Sequence, residues 1–572
     1  MTNIYIFNNA SRAAGYGIGT YIKQLAEGLS VMPETKVSLV EMYADTKEFA
    51  ISDDKDGIRH YLIPSLHSGT ENETYCRVIF YFLARNIDNV GNDKIVFHFN
   101  YFQHYPLAVL LKSCFVNSCI VMTVHYMNWC FELNGNVRRM REITAVDYDP
   151  NDGNERGVIA SFAGEKEFLH LADVILVLSS RSREILVNDY NVSADKMHLV
   201  YNGIAGDMCG RSLLYGDRRN ILYVGRLDEI KGLKYLISAY GKILVKYPDT
   251  HLVIVGDGDF QPYMEQCRTF HEHVSFLGKM QSGDLDKVYE SAYIGVMPSF
   301  HEQCSYTAIE MMRHGIPVIG TDSTGLAEML DATPNLRVHI DEFDFDDDNF
   351  VSQIASRMDM LLSDDTTCHT ASDAVLKQYK ERYTLEAMTK GVEDAMLALQ
   401  TNPLSVVSSD YLPHMDNQMI ALINKHPDID TDFFGMTGIG IYLWWRVLQL
   451  EKNATANADQ IAMIKEHLIY YLDWVEEVIN DEPFGDELCV MLASMKEHDF
   501  CPTLAGRILE HGKIASDDMP FPSEQEILQN TLKICTCKIS MAEALRHWEQ
   551  SRNLQKRQCY CLTTQNRNYE KA

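Results

Sequence analysis

Short apolar runs rich in Val and Ile recur through the first 340 residues and alternate with segments of helical period, such as 20–29, 232–246 and 285–291. Runs that are apolar nearly throughout are typical of strands in a parallel sheet that helices cover on both faces. An alternation this long predicts an α/β protein with two doubly wound sheets in succession. The predicted strands are 4–7, 37–40, 95–99, 120–124, 174–178, 198–201, 221–224, 252–255, 294–297, 317–319 and 337–340.

The domain organisation follows from where this alternation breaks. Near residues 203–217 Gly, Asp and Arg replace the apolar pattern, so we place one domain at 1–205 and a second at 206–400. From residue 401 prolines punctuate helical segments and the alternation stops, which predicts a helical region at 401–532. The final stretch, 533–572, is basic and contains two Cys-x-Cys pairs. Structural zinc sites usually space their ligands further apart, so a flexible basic tail is the favoured interpretation.

Composition narrows the class of partner. The chain has 572 residues, 14 cysteines and a formal net charge of −29. Nucleic acid and anionic membrane surfaces repel an acidic protein, so neither is expected as the main partner. No run of about eighteen uncharged apolar residues indicates a membrane span, and the first residues lack the pattern of a signal peptide. We therefore expect a cytoplasmic protein with reduced thiols and no transmembrane segment.

The segment 298–328 carries the most specific chemistry. It is typical of a strand end, a tight loop, a helix that begins near Ser305 and a further strand from Pro317. A helix N-terminus presents unpaired N–H groups and a positive dipole end, which suit a phosphate. Glu310 lies roughly 7–8 Å further along this helix, about the span from a diphosphate to the ribose of the same nucleotide. The alternative is an exposed helix in which Glu302 and Glu310 are ordinary surface residues.

Two motifs of the first domain could face the same ligand. Gly15 and Gly17 belong to a Gly-x-Gly-x-Gly run that follows the first predicted strand, and glycines allow close approach to a phosphate at a helix start. This run differs from the Gly-x-Gly-x-x-Gly fingerprint of dinucleotide-binding proteins. His125 follows strand 120–124, and ligands of doubly wound sheets bind beyond the carboxyl ends of strands. It could bind a sugar hydroxyl, although a single histidine at a strand end is more often structural.

A basic motif follows the first strand of the second domain. Arg226 and Lys231 stand five residues apart between strand 221–224 and a helical segment. Arginine offers a fork for two phosphate oxygens and lysine a mobile point charge, so together they could neutralise a departing diphosphate. A second strand-to-turn element, Gly256-Asp-Gly258, could flank the nucleotide base or be a plain turn.

The order and spacing of these motifs, including the Glu302-x7-Glu310 pair, resemble those of glycosyltransferase family 4 over about residues 1–395. The resemblance implies the GT-B fold, in which two Rossmann-like domains face a cleft, with an atypical helical extension after it. It implies a catalytic set of Arg226, Lys231, Glu302 and His125. The implied contacts are Arg226 and Lys231 with the diphosphate, Glu302 and His125 with the transferred sugar, Gly15 and Gly17 with the donor phosphate or the acceptor, the backbone amides of Cys304, Ser305, Tyr306 and Thr307 with the sugar and phosphate, and Glu310 with the ribose.

The sequence departs from the family pattern in three places. The usual Gly-Phe-Gly after the first glutamate is Gln303-Cys304-Ser305, which bears on how closely the backbone approaches the sugar. The usual Gly-Gly near the following strand is Thr324-Gly325, although Glu328 is retained. Residues 401–572 fall outside the family pattern altogether.

The resemblance implies transfer of a hexose from a nucleotide-diphosphate sugar with retention at the anomeric carbon, by front-face displacement. This chemistry requires no metal and no cofactor beyond the donor, and the expected acceptor is a carbohydrate, a lipid-linked molecule or a peptide or protein. Three alternatives remain open: a non-catalytic nucleotide-sugar-binding module, a phosphorylase of the same architecture, and a dehydrogenase. The dehydrogenase would need an acidic residue about twenty positions after its fingerprint, where Glu41 stands.

Two further segments invite a functional interpretation but favour a structural one. The acidic run 341–348 lacks the Gly and closing Glu of an EF-hand loop, so we expect a solvated turn. The segment 435–445 is similar to the Gly-rich helix starts of lanthionine-cyclase-like toroids over about a dozen residues. Because no cyclase zinc ligands accompany it, we expect a close helix–helix contact in which glycine permits the approach.

Overall fold

The computed structural model describes residues 1–10, 15, 17–66, 70–87, 93–115, 118–145, 149–206, 219–398, 407, 409–424, 433–454, 457–478, 486–511 and 520–535. Most of the predicted junction between the first two domains, at 207–218, lies outside these residues. The basic tail from residue 536 onward lies outside them too, together with Cys537, Cys559 and Cys561 of the proposed Cys-x-Cys pairs.

The first sheet is built from eight strands, whose bounds are β1 (Thr2–Asn9), β2 (Thr35–Ala44), β3 (Ala50–Asp53), β4 (Arg59–Pro64), β5 (Lys94–Phe99), β6 (Ser118–Val124), β7 (Val174–Val177) and β8 (Met197–Leu199). Their spatial order is β3-β4-β2-β1-β5-β6-β7-β8. All neighbours pair in parallel except β3 and β4. Every residue of β6 is buried, as expected for a central strand that helices cover on both faces.

Helices connect these strands: α1 (Gly17–Ser30), α2 (Asn72–Asn86), α3 (Tyr105–Cys114), α4 (Trp129–Glu132), α5 (Val137–Ala145), α6 (Gly153–Leu171) and α7 (Ser180–Asn188). Side-chain N-caps stabilise the starts of α6 and α7. The carboxylate of Asp152 accepts hydrogen bonds from the backbone N–H groups of Asn154 and Glu155 at the start of α6. The hydroxyl of Ser179 accepts one from the N–H of Ser182 at the start of α7. These bonds satisfy N–H groups that have no partner within the helix.

The second sheet has six strands, β9 (Arg219–Val224), β10 (Thr250–Val255), β11 (Val274–Gly278), β12 (Ala292–Met297), β13 (Val318–Thr321) and β14 (Arg337–Val338). All neighbours are parallel in the order β11-β10-β9-β12-β13-β14. The accompanying helices are α8 (Leu233–Leu244), α9 (Gln261–Gln266), α10 (Ser282–Glu290), α11 (Tyr306–Arg313), α12 (Thr324–Met329), α13 (Asp347–Ser363) and α14 (Asp365–Arg382). The carboxyl ends of β9, β12 and β13 therefore meet at one edge of this sheet.

Helix α15 (Leu385–Ala398) returns the chain from the second sheet to the first. It packs beside α1, and a Cβ placed on Gly28 would lie 2.2 Å from the hydroxyl oxygen of Thr389. The N–H of Leu385 donates to the carbonyl of Ile204, and the N–H of Ile204 donates to the carbonyl of Tyr383. The two sheets are thus joined a second time, next to the segment that leads from the first sheet to the second.

Among the described residues beyond α15 there are six further helices, α16 (Leu412–Asn424), α17 (Phe433–Leu450), α18 (Ala458–Val478), α19 (Asp486–Glu497), α20 (Pro502–His511) and α21 (Glu524–Cys535). Their apolar residues form one continuous core with the side of the first sheet that faces α2, α3 and α6. Polar contacts also cross the boundary: Lys196 Nζ lies 2.7 Å from Asp410 Oδ1, and the hydroxyls of Tyr105 and Tyr411 are 2.5 Å apart. These helices therefore form a layer on the first domain.

The strand prediction holds for the interior of both sheets. Each of the eleven predicted strands overlaps an observed one, and the predicted helical segments 20–29, 232–246 and 285–291 overlap α1, α8 and α10. Three edge or near-edge strands, β3, β4 and β11, were not predicted. The bounds of short strands also differ, since β8 ends at Leu199 and β14 spans only two residues.

The two structural interpretations of unusual segments are confirmed. Gly440 lies in α17 where a Cβ would stand 2.5 Å from the ring of Tyr471 on α18, so glycine permits the close helix contact. The acidic run forms a turn in which Asp341 Oδ1 accepts hydrogen bonds from the N–H groups of Phe343 and Asp344.

Two expectations drawn from composition can also be compared with the structure. Nine cysteines whose side chains are described are free thiols, as expected for a chain with reduced cysteines. No helix within the described residues combines the length and the apolar character that crossing a membrane requires.

Candidate active site

The carboxyl ends of β9 and β12, which are neighbours in the second sheet, bring two of the predicted site residues into contact. Lys231 closes a single 3-10 turn, Glu229–Lys231, that follows β9, and Glu302 lies in the loop after β12. Lys231 Nζ is 2.6 Å from Glu302 Oε1, and only 19% and 12% of the two side chains are exposed. The pair is therefore screened weakly by solvent, and each charge holds the other in place.

The backbone around Lys231 is fixed against the loop that carries Glu302. Gly232 adopts a φ of +67°, and a Cβ there would lie 2.1 Å from the carbonyl oxygen of Pro298. The N–H of Phe300 donates to the carbonyl of Ile230 at 2.8 Å. Only glycine meets both the conformation and the close approach, so the Lys231-Gly232 sequence locks the ammonium beside the loop.

A second loop, at the start of α12, supports Glu302 from the other side. The N–H of Glu302 donates to Thr324 Oγ1 at 3.1 Å, and the N–H of Gly325 donates to the carbonyl of Glu302 at 2.8 Å. A Cβ on Gly325 would lie 1.7 Å from the carbonyl oxygen of Gln303. Thr324 has a φ of +37°, so it takes a backbone conformation that suits glycine at the position where the family pattern has glycine.

Arg226 follows β9 by two residues but pairs with Asp228 rather than with Glu302. Its Nη1 lies 2.8 Å from Asp228 Oδ2, and the side chain is half-buried. The hydroxyl of Tyr223 donates to the carbonyl of Arg226 at 2.7 Å and fixes its backbone. The guanidinium thus lies at the same sheet edge as Lys231, with its charge partly offset by a neighbouring carboxylate.

Helix α11 begins where the sequence predicts, with Ser305 at its N-cap position. The buried residues Cys304 and Tyr306 flank the helix start, and Thr307 is half-buried. The carbonyl of Cys304 accepts a hydrogen bond from the side-chain amide of Asn202, at 2.6 Å, across the boundary between the two domains. Among the described residues, the buried hydroxyl of Tyr306 has no hydrogen-bond partner.

Glu310 lies on the second turn of α11 and is held by a tyrosine that the sequence analysis did not predict. The hydroxyl of Tyr289 donates to Glu310 Oε2 at 2.6 Å. Burial raises the pKa of the Glu310 carboxyl, and this hydrogen bond only partly offsets the effect. Within the described residues no hydrogen bond reaches the other oxygen, Oε1, so one acceptor of this carboxylate is available for a hydroxyl group.

His125 lies at the carboxyl end of β6, in the first domain, with its ring fixed by Asn100. The ring Nε2 is 3.0 Å from Asn100 Oδ1, while the amide nitrogen of Asn100 donates to the carbonyl of Phe7 and so sets the amide orientation. Because Oδ1 can only accept, Nε2 carries the proton. Burial lowers the pKa of His125 to about 3, so the ring is neutral near pH 7 and Nδ1 is a hydrogen-bond acceptor.

The two predicted glycines lie at the start of α1. Gly17 is the first residue of α1, and a Cβ on it would meet no atom within 4 Å among the described residues. A Cβ on Gly15 would lie 3.6 Å from Nζ of Lys279, which follows β11 in the second domain. The glycine-rich loop therefore reaches across the cleft to the second sheet.

Two residues of the second domain join the two domains here: Gln303, which differs from the family pattern, and Glu328, which is retained from it. Gln303 Oε1 accepts hydrogen bonds from the hydroxyls of Ser179, at 3.2 Å, and Ser182 at the start of α7. Glu328 Oε2 accepts from both the N–H and the hydroxyl of Ser180, at 2.8 and 2.7 Å. We call these contacts the α7 junction. The sequence carried a partial signal for it, because Glu328 is retained from the family pattern.

Metal ligation and the dehydrogenase alternative can both be examined against the geometry. Within the described ranges, no group of three or more His, Cys, Asp or Glu side chains is arranged to hold a metal ion. Metal independence of the reaction stays a prediction.

Glu41, which a dehydrogenase would use for the ribose, lies 2.5 Å from Nδ1 of His60 on the neighbouring strand β4.

Comparisons with known proteins find similarity to glycosyltransferases. Residues 218–364 match the family described as Glycosyl transferases group 1. The chain is 34% identical over 173 residues to an uncharacterised glycosyltransferase of Methanocaldococcus jannaschii, which covers 27% of this chain and 44% of that protein. It is 28% identical over 189 residues to alpha-D-kanosaminyltransferase of Streptomyces kanamyceticus, with coverages of 30% and 48%. A phosphatidyl-myo-inositol mannosyltransferase of Mycolicibacterium smegmatis is 30% identical over 129 residues, covering 22% and 33%. The chain thus spans about half or less of the length of these curated relatives.

A solved structure defines the fold class. Sucrose-phosphate synthase from Thermosynechococcus elongatus superposes with a TM-score of 0.54 at 19% identity, covering 70% of this chain and 99% of that one. The protein has the GT-B fold, two Rossmann-like domains with parallel sheets that face a cleft, followed by a helical C-terminal region. The predicted fold class is confirmed.

Proposed function

We propose that the protein is a retaining glycosyltransferase that moves a hexose from a nucleotide-diphosphate sugar to an acceptor. The observation that carries the proposal is the enclosed 2.6 Å ion pair between Lys231 and Glu302 at the start of α11. It lies within the segment that matches the glycosyltransferase family, and two relatives with a stated activity are named as sugar transferases. The family-4 assignment, the retaining outcome and the hexose donor rest on the motif resemblance.

In this proposal the diphosphate lies between basic side chains and a helix start. An ammonium group has three N–H donors, so Lys231 can hold Glu302 Oε1 and a phosphate oxygen at the same time. Arg226 supplies a planar fork at the same sheet edge, and the first turn of α11 supplies backbone N–H groups and the positive end of the helix dipole. These groups stabilise the negative charge that grows on the departing diphosphate.

The sugar and the ribose are placed by the two glutamates. Glu302 has a second oxygen for the hydroxyls of the transferred sugar, and Glu310 offers Oε1 to the ribose. His125, neutral and with Nδ1 as acceptor, binds a hydroxyl of the sugar from the first domain. These contacts align the donor rather than react with it, so the barrier falls through orientation and charge stabilisation.

The proposed step is a front-face displacement. The bond between the anomeric carbon and the phosphate oxygen breaks while the acceptor oxygen bonds to the same face of that carbon. The proton of the acceptor hydroxyl passes to the departing phosphate oxygen, so no protein side chain changes its protonation. The donor supplies the leaving group, and the step requires no metal.

The test is a panel of nucleotide sugars with UDP, GDP, ADP and dTDP as the nucleotide, incubated with mixed oligosaccharide, lipid-linked and peptide acceptors. Mass spectrometry measures released nucleoside diphosphate and glycosylated product. We expect Lys231→Ala to lower turnover about 100-fold or more, as loss of one preorganised charge contact typically does. Lys242→Ala is the matched control, because within the described residues this exposed lysine of α8 makes a side-chain hydrogen bond only with Ser352 of α13.

Three outcomes would count against the proposal. Equal turnover of the wild type and Lys231→Ala would exclude the role of the ammonium. Release of a sugar phosphate that depends on inorganic phosphate would indicate a phosphorylase. Tight donor binding without transfer or hydrolysis across the whole panel would indicate a binding module.

A further inference from the structure

A second cavity, of about 800 Å3, lies between the two domains. The loop after α4, the first turn of α8 and the segments that follow β13 and β14 line it. None of the residues assigned above to the donor lines it, yet it adjoins the candidate active site. Phe300 and Thr324 belong to its wall, and Thr324 Oγ1 accepts the hydrogen bond from the N–H of Glu302. Its volume falls in the range of small-molecule sites, roughly 300–1,000 Å3.

One wall of the cavity is aromatic. Tyr235, Phe300, Phe343 and Phe345 all line it. The ring of Phe345 packs edge-on against Phe300, with centroids 5.2 Å apart, and against Tyr235 at 5.7 Å. Phe343 is 77% exposed, and Phe345 is 37% exposed. Exposed aromatic rings on the wall of a concave site cost free energy in water, and they indicate a surface for a ligand.

The loop that carries Phe343 and Phe345 is held by contacts that cross the domain boundary. The carbonyl of Glu342 accepts a hydrogen bond from the side-chain amide of Asn136 at 3.2 Å. Its carboxylate accepts one from the N–H of Arg138 at 3.3 Å, and Asp341 caps the turn through the N–H of Phe343. The aromatic wall is therefore positioned by the protein itself, which lowers the cost of ordering it on binding.

The polar groups of the cavity include both donors and acceptors. Arg181, Lys234 and Asn134 supply N–H donors, and Asp322 and Glu229 supply carboxylate oxygens. Within the described residues, the carboxylate of Glu229 makes no ion pair or hydrogen bond. A ligand whose groups both donate and accept hydrogen bonds fits such a mixed set, and hydroxyl groups do both.

Two rings of the aromatic wall, Phe343 and Tyr235, already contact cationic side chains of the protein. The guanidinium of Arg138 stacks on the ring of Phe343 at 4.2 Å from its centroid, and Lys234 Nζ lies 4.7 Å from the centroid of Tyr235. A cationic peptide or amine would compete with these groups and be repelled by them. A neutral ligand with apolar faces and hydroxyl edges meets no such competition.

We propose that this cavity is a second carbohydrate-binding site, which takes a neutral oligosaccharide. The apolar faces of its sugar rings stack on Phe343 and Phe345, and its hydroxyls bond to Asp322, Glu229 and Arg181. The site goes beyond the proposed transfer reaction and does not depend on it, since binding at this cavity requires no nucleotide sugar.

Saturation-transfer-difference NMR of the full chain tests this proposal in the absence of any donor. The probes are maltotriose, cellotriose, mannotriose and chitotriose, each titrated to millimolar concentration. At least one trisaccharide should show saturation transfer to its ring protons. For that probe, Phe343→Ala should raise the dissociation constant about tenfold, as loss of one aromatic stacking partner can.

Two variants and one competitor keep the test decisive. Phe343→Tyr keeps the ring and should bind like the wild type, and Val245→Ala, at a 90% exposed position on the other side of the second domain, should do the same. The proposal is overturned if none of the four trisaccharides binds. It is also overturned if Phe343→Ala binds as tightly as the wild type, or if a hexa-arginine peptide, and no saccharide, binds in a Phe343-dependent way.

Discussion

The loop that follows His125 is supported by one buried carboxyl group, that of Glu165 on α6. Glu165 Oε1 accepts a hydrogen bond from the N–H of Asn128, and Oε2 accepts one from the hydroxyl of Tyr190, both at 2.6 Å. The same loop carries Trp129, whose ring meets that of His301 edge-on with centroids 6.4 Å apart. Since His301 precedes Glu302, Glu165 supports a contact that links the two sides of the candidate active site.

Glu165 should make stability depend on pH in a defined window. Burial raises its pKa from 4.5 to about 7. Because the carboxyl group has the higher pKa in the native state, the native state binds this proton more tightly than the unfolded state does. The contribution of the bound proton to the unfolding free energy is therefore full at low pH and is lost as pH rises through 7. Relative to Glu165→Gln, which has no such proton, the unfolding free energy of the wild type should fall by about 2–3 kcal/mol between pH 5 and 8. Urea unfolding of both proteins at four pH values measures this difference, and parallel pH curves would contradict it.

The sequence indicated the location of the candidate site better than the contacts that support it. The position of Arg226, Lys231 and Glu302 at one sheet edge could be predicted because each follows an apolar strand of a doubly wound sheet. Asn100, Tyr289 and Gln303 were missed because their partners His125, Glu310 and Ser182 lie 25, 21 and 121 positions away. No local pattern marks a hydrogen bond over such a distance, and only the fold brings the two groups together.

Among the strands, those buried along their whole length were predictable, whereas β3, β4 and β11 were not predicted, although the edge strands β8 and β14 were. β6 and β12 are buried along their whole length, so their sequences are continuous apolar runs. β11 lies at the edge of the second sheet and is only half-buried, while β3 is largely exposed and ends in Asp53. A strand that is exposed to solvent tolerates polar residues, so β3 and β11 lack the continuous apolar run on which the prediction depends.

Helix α7 is one element through which the second domain contacts the first beside the candidate active site. Its first turn receives the carboxylate of Glu328 and the amide oxygen of Gln303, both from the second domain. A carboxylate at a helix N-terminus interacts favourably with the helix dipole. The α7 junction thus satisfies the N–H of Ser180 and three serine hydroxyls with acceptors from the opposite domain, and it depends on the two domains being together.

Glu328→Gln should loosen the α7 junction. The substitution keeps the shape of the side chain but removes its negative charge. The interaction of such a charge with a helix N-terminus contributes about 1 kcal/mol. Its loss should therefore make the amide of Ser180 exchange roughly fivefold faster. Hydrogen exchange measured by mass spectrometry on a peptide that covers the start of α7 reports this change. Glu184→Gln is the control on the same helix, because Glu184 pairs with Arg181 on the exposed surface. Equal exchange in Glu328→Gln and the wild type would show that the carboxylate does not hold the helix start.

At the scale of the whole molecule, the C-terminal helices are part of the first domain's core. Tyr411, which is fully buried, contacts the hydroxyl of Tyr105 on α3, and His170 Nδ1 lies 2.8 Å from His414 Nε2. The sequence predicted a helical region here but placed it as a separate segment, because period and proline spacing do not show which surface a helix covers. The shared core and these contacts show that the helices pack against α3 and α6.

Because the core is shared, a destabilising substitution in the helical layer should also destabilise the first domain. Tyr411→Ala removes a large buried side chain at the boundary and should cost about 3–5 kcal/mol of unfolding free energy. Exchange of the amides of α3 should then accelerate together with that of α16, since both belong to one cooperative unit. Ile469→Ala, at a 43% exposed position on α18, should change stability by less than about 0.5 kcal/mol. Faster exchange in α16 with no change in α3 would instead mean that the helical layer unfolds independently and could be removed without disturbing the cleft.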